Sequence, residues 1–113
     1  MTFPLQITFR DIPPSEALEQ RIREKAAKLE KFHDRIHRCH VVIEAPHRHK
    51  HKGFLYEVTI DITLPICELL ANQRSGTSPA HEDAYVAVRD AFDAAARRLE
   101  DYIEKKRTLE RQS

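Results

Sequence analysis

Glycine and cysteine are both scarce in this 113-residue sequence, at two residues each. So few glycines leave no Gly-rich loop to cradle phosphates. The chain also has no Gly-x-Ser-x-Gly elbow and no Cys-x-x-Cys pair. Ser15, Ser75, Ser78 and Ser113 fall at turns, helix starts and the terminus, where capping accounts for those that need a role. No position expected to be buried holds an acid/base pair. The expectation is a chain that is not an enzyme, with no catalytic residue, no cofactor and no small-molecule substrate. Cys39 and Cys67 make no disulfide scaffold and read as reduced, half-buried thiols.

Long apolar runs are missing too. The longest, Leu64 to Ala71, is broken by Pro65 and Glu68 and is too short to span a bilayer. The start, MTFPLQITFR, lacks the apolar stretch and cleavage site of a secretory signal. A cytoplasmic protein without membrane contact is expected. Nor is there an excess of one charge: 19 lysines and arginines face 18 aspartates and glutamates, a net charge of +1. Any binding to a polyanion must therefore arise from how charge is distributed.

What is present is periodicity. Leu5, Ile7 and Phe9 alternate with polar residues over 4–10, which predicts a strand ended by Asp11-Ile12-Pro13-Pro14. Ser15 caps a helix whose stripe of Leu18, Ile22, Ala26 and Leu29 runs to about residue 32. His33-Asp34-Arg35 is its exit turn. Cys39, Val41 and Ile43 predict a second strand ending at Ala45-Pro46, and every second residue from Phe54 to Leu64 is apolar, the third. Residues 66–74 form a weaker fourth. After the turn 72–79, Ser78-Pro79 signals a helix start. Ala84, Val88, Ala91, Phe92, Ala95, Leu99, Tyr102 and Ile103 then keep a helical period to about residue 106.

The predicted order is β-α-β-β-β-α in a single domain, with a right-handed first crossover and both helices on the one apolar face of a four-stranded sheet. This is a two-layer α/β (α+β) sandwich whose other sheet face stays open. Phe9, Phe54, Tyr56, Phe92 and Tyr102 fall on core stripes; Tyr85, at the edge of its stripe, either caps the core or stacks on a base.

Three features carry binding potential. On the first helix, Arg21, Lys25 and Lys28 share one flank of the apolar stripe, while Glu16, Glu19 and Glu30, with Arg23 among them, take the other. The second helix carries Arg89, Arg97, Arg98, Lys105, Lys106 and Arg107, interleaved with acids. The segment Pro46 to Gly53 alternates His47, His49 and His51 with Arg48, Lys50 and Lys52. It reads as a basic hairpin tip that touches phosphates, as a solvated loop, or as a set of histidines that binds a metal such as zinc, although the interleaved cations repel one. A protein-interaction module using the open sheet face is a further alternative.

Several ordered segments resemble the family of ribosome hibernation-promoting factors and ribosome-associated inhibitors, also called sigma 54 modulation or ribosomal subunit interface proteins. They are Glu24 to Lys31, Asp34-Arg35-Ile36, Val41 to Ile43, Glu82 to Val88, and Asp93 with Arg97-Arg98-Leu99. The resemblance spans about residues 4–107 and carries the same fold. It implies a short-form factor that binds the small ribosomal subunit and its ribosomal RNA, blocking the channel for transfer and messenger RNA. It also implies roles in stress and stationary phase. By position, Lys25, Lys28, Arg97 and Arg98 match the family's RNA contacts, with Lys105, Lys106 and Arg107 as looser equivalents. Arg89, Ala94, Asp101 and Glu104 depart from the family's pattern, which moves the expected contacts from the second helix toward the first and the 47–52 segment. Long members carry a C-terminal dimerisation domain. None is expected in residues 1–113, and the chain is expected to be a monomer in isolation.

Overall fold

The computed structural model describes residues 3–31, 35–49, 53–65, 67–73 and 83–112, except for the side chains of 46–49, 53–55, 72–73 and 110–112. Its elements are β1 (Leu5–Arg10), α1 (Glu16–Leu29), β2 (Arg38–His49), β3 (Gly53–Thr63), β4 (Glu68–Gln73) and α2 (Ala84–Gln112). They form one four-stranded sheet in the order β1-β2-β3-β4, with β1 parallel to β2 and the other pairs antiparallel. This is the predicted order and the predicted α+β sandwich.

Alternation decides which face is buried. Cys39, Val41 and Ile43 from β2, Val58, Ile60 and Ile62 from β3, and Ala71 from β4 point into the core. There they meet Leu18, Ile22, Ala26 and Leu29 of α1 and Ala87, Val88, Ala91, Phe92, Ala95 and Leu99 of α2. Cys39 is fully buried rather than half-buried; Cys67 is half-buried, and both thiols are free. Burial, and secondarily the charge of Asp61, pushes the Cys39 thiol up to about 12.

Several boundaries differ from the sequence expectation. The Ser15 hydroxyl accepts from the Leu18 N–H as predicted, but α1 closes at Leu29, and the Lys31 N–H turns back to the Lys28 carbonyl. Asp11, in the left-handed region at φ 62°, provides the bend between β1 and the prolines. β2 does not stop at Ala45-Pro46. It continues to His49 through a register shift between Glu44 and His47, an irregularity that admits a proline without an N–H to donate. β4 is shorter than 66–74. α2 is described from Ala84, with the Tyr85 N–H donating to Asp83 Oδ1, and it runs to Gln112 rather than about 106. Ser78-Pro79 and His33-Asp34 lie outside the described residues.

The two helices run parallel. Ala84 and Tyr85 lie beside Phe9, Ser15 and Leu18, where α1 begins, whereas Tyr102 is hydrogen-bonded to Cys67 at the turn between β3 and β4. Burial, then the Cys67 contact, raises the Tyr102 pKa. The molecule measures 56 × 26 × 18 Å. At about 1.5 Å per residue α2 is long enough, on the order of 43 Å, to run past the sheet, and Leu109 near its end is 66% exposed. At the opposite end, β2 and β3 pair beyond the last partners of β1 and β4, as a two-stranded arm ending in His49 opposite Gly53.

Candidate nucleic-acid interface

The cationic side chains that the sequence singles out fall at separate places on this frame. Arg21 fixes the first. Its guanidinium sits 5.5 Å from the centroid of the Tyr85 ring, across the join between the helices, so this flank of α1 faces α2. At 100° per residue, Lys25 and Lys28 lie within about 40° of Arg21 around α1, and Arg89 within about 40° of Tyr85 around α2. Because the helices are parallel, Arg89 stands one turn beyond Tyr85, beside the stretch of α1 that holds Lys25 and Lys28. The four cations therefore border one groove.

Its polar surroundings are specific. Arg21 Nε is 3.7 Å from Glu24 Oε2, and Arg89 Nη2 is 3.1 Å from Asp90 Oδ1, both on solvent-exposed side chains. Such exposed pairs exchange readily for phosphate, since each is worth little in water. On the other flank of α1, Arg23 is closed off by a 2.6 Å bond to Glu19, an i,i+4 pair. An open depression of about 550 Å³ lies at the head of the groove, bounded by Ala17, Gln20, Arg21, Glu24, Asp83 and Tyr85. Tyr85 is 39% exposed, so it does not sit in the core; Phe92 does. Phe9, Tyr56 and Tyr102 pack at its margin.

The other predicted residues do not join this groove. Arg97 and Arg98 are exposed and lie about 120° and 140° around α2 from Tyr85, on its outer side and its far flank. Lys105, Lys106 and Arg107 follow Tyr102 on the part of α2 that passes the β3–β4 turn. Arg48 belongs to the two-stranded arm as a strand residue, not a loop residue, and so do His47 and His49. Lys50, His51 and Lys52 lie outside the described residues. Among the described residues no cluster of three or more His, Cys, Asp or Glu is arranged to hold a metal ion.

The open face of the sheet has the opposite character. Its outward positions bring Glu44, Glu57, Asp61 and Glu68 together with Arg10 and Arg38, and Arg10 is already 3.8 Å from Glu44. This face is locally acidic and does not suit a phosphate backbone.

The sequence profile of the sigma 54 modulation protein / S30EA ribosomal protein family matches residues 5–107. The chain belongs to this family. Two solved structures show the same fold at low identity. The N-terminal domain of Protein Y from Thermus thermophilus is 16% identical, with a TM-score of 0.67 over 86% of this chain and 94% of that one. A ribosomal subunit interface protein from Coxiella burnetii is 20% identical, with a TM-score of 0.71 over 89% of this chain and 98% of that one. No curated protein sequence matches. Among the described residues, no helix is long and apolar enough to cross a membrane.

Proposed function

We propose that this chain binds the small ribosomal subunit and holds it inactive by occupying the channel that transfer RNA and messenger RNA would use. The observation that carries this reading is the α1–α2 groove. A nearly neutral protein gathers Arg21, Lys25, Lys28 and Arg89 along one seam and gives its open sheet face to carboxylates. Phosphate contacts of this kind position a protein on folded RNA by shape and charge, without reading bases. Membership of a ribosomal protein family not known for enzymatic activity agrees with action by occupancy.

In this reading the groove makes the primary contact. Arg97 and Arg98, Lys105, Lys106 and Arg107, and Arg48, Lys50 and Lys52 of the sequence segment 47–52, touch neighbouring RNA when the groove is seated. The chain works as one ribosome-binding domain, a monomer in the cytoplasm, in stress or stationary phase. Pelleting purified small subunits with the protein tests it. Stoichiometric co-sedimentation, displaced by transfer RNA bound to the same subunits, is expected. Absence of binding, or binding unaffected by transfer RNA, overturns it.

A further inference from the structure

Tyr85 borders a second depression, and this one is aromatic. It encloses about 240 Å³ beyond the end of β1, beside the start of α1 and of α2, with Phe9, Ile12, Pro13, Leu18, Tyr56 and Tyr85 in its lining. Among the described residues no charged side chain lines it. Three rings from three elements converge there: Phe9 from β1, Tyr56 from β3 and Tyr85 from α2. Phe9 and Tyr56 pack at the margin of the core and are half-buried, while Tyr85 is 39% exposed.

Tyr85 also ties this depression to the cationic seam. The Arg21 guanidinium lies 5.5 Å from the centroid of its ring, and Arg21 borders the neighbouring polar depression. A neutral, flat ring suits the aromatic side, and an anion suits Arg21. One nucleotide supplies both, because ribose holds its base and its phosphate apart. An apolar side chain from a protein would fill the depression and leave the adjoining cation unused. The volume falls below the range of about 300–1,000 Å³ of drug-sized ligand sites, so it suits one ring system and not a whole nucleotide.

We propose that the depression takes one unpaired base of the RNA bound along the seam. The base stacks against Tyr85 with Phe9 and Tyr56 beside it, and Arg21 meets the phosphate of the same nucleotide. This inference rests on the reading of the α1–α2 groove as an RNA surface and adds a requirement for single-stranded RNA. Bases paired in a duplex are stacked on one another and cannot enter, whereas an unpaired base stacks on an aromatic side chain. Every base has a π-face, so the contact tolerates any sequence.

The test compares hexaadenylate with a hexamer of the same backbone that carries no bases. Each is labelled with fluorescein, titrated with the full chain at low salt and followed by anisotropy. The baseless hexamer keeps the phosphates and should bind at least about fivefold more weakly. Tyr85→Leu should weaken hexaadenylate at least about fivefold without changing the salt slope, and Tyr85→Phe should restore the affinity. Arg21→Ala should instead flatten the slope by about 0.7. Amide NMR shifts at Phe9, Tyr56 and Tyr85 should appear with hexaadenylate and not with the baseless hexamer. No binding of hexaadenylate, equal binding of the two hexamers, or undiminished binding by Tyr85→Leu overturns the proposal. Equal binding is also the result expected if a protein side chain is the occupant. Pelleting with small subunits separates the two readings. Subunit binding that Tyr85→Leu leaves intact overturns the base contact alone; base-dependent hexamer binding without subunit binding supports the contact and overturns the ribosome reading. If Tyr85→Leu does not fold, the two hexamers on the unaltered chain decide.

Discussion

The Arg21 guanidinium covers the Tyr85 ring at 5.5 Å, so the cationic flank of α1 lies against α2. The pair joins two elements that approach in space through the crossover and the sheet, far apart in sequence. A double-mutant cycle with Arg21→Ala and Tyr85→Leu, followed by urea denaturation, should give a coupling of about 0.5–1 kcal/mol. Strictly additive losses would contradict the contact.

The core should respond far more strongly than the groove. Ile22 is fully buried between α1 and the sheet, and Ile22→Ala should cost about 2–5 kcal/mol. Lys28→Ala, at an exposed position, should change stability by less than about 0.5 kcal/mol. Urea midpoints for the two variants give the comparison.

The Ser15 cap is a separate test of local structure. Its hydroxyl accepts from the Leu18 N–H at 3.2 Å, so Ser15→Ala should lose about 1 kcal/mol, while Ser15→Asp should retain most of the stability. A melt unchanged by Ser15→Ala would argue against the capped start of α1.

Cys39 predicts an alkaline weakness. Its thiol, raised from 9.0 to about 12 by burial and then by Asp61, stays neutral in the folded chain while the unfolded chain ionises. The contribution is therefore complete below pH 9 and is lost as pH rises toward 12, at up to about 1.4 kcal/mol per pH unit. Denaturation between pH 8 and 11 should show this slope, and Cys39→Ala should flatten it. Iodoacetamide at pH 8 should also label Cys67 and spare Cys39 in the native protein.

Much of the fold was legible because its signals are local: period two in β3, period 3.6 in both helices, and Ser15 before the first. What escaped depends on neighbours distant in sequence. Pro46 predicts a strand end because proline lacks a donor, yet the register shift after Glu44 lets β2 pass through it. The Arg21, Lys25 and Lys28 flank was visible on a helical wheel, but not that it faces Arg89 and Tyr85. Arg97 and Arg98, grouped with it by family position, point elsewhere around α2. The alignment of His40 with Asp61 is a matter of strand register, which no single-strand pattern records.

The salt dependence of binding to small subunits tests the central claim most directly, comparing the unaltered chain with Arg21→Ala/Lys25→Ala/Lys28→Ala from 50 to 200 mM salt. If the four cations in the groove meet phosphates, they alone make log K fall against log salt with a slope of about 3, other contacts steepen it, and the triple variant should flatten it by about two units. A slope near zero, or one that the triple variant leaves unchanged, would contradict binding through the α1–α2 groove.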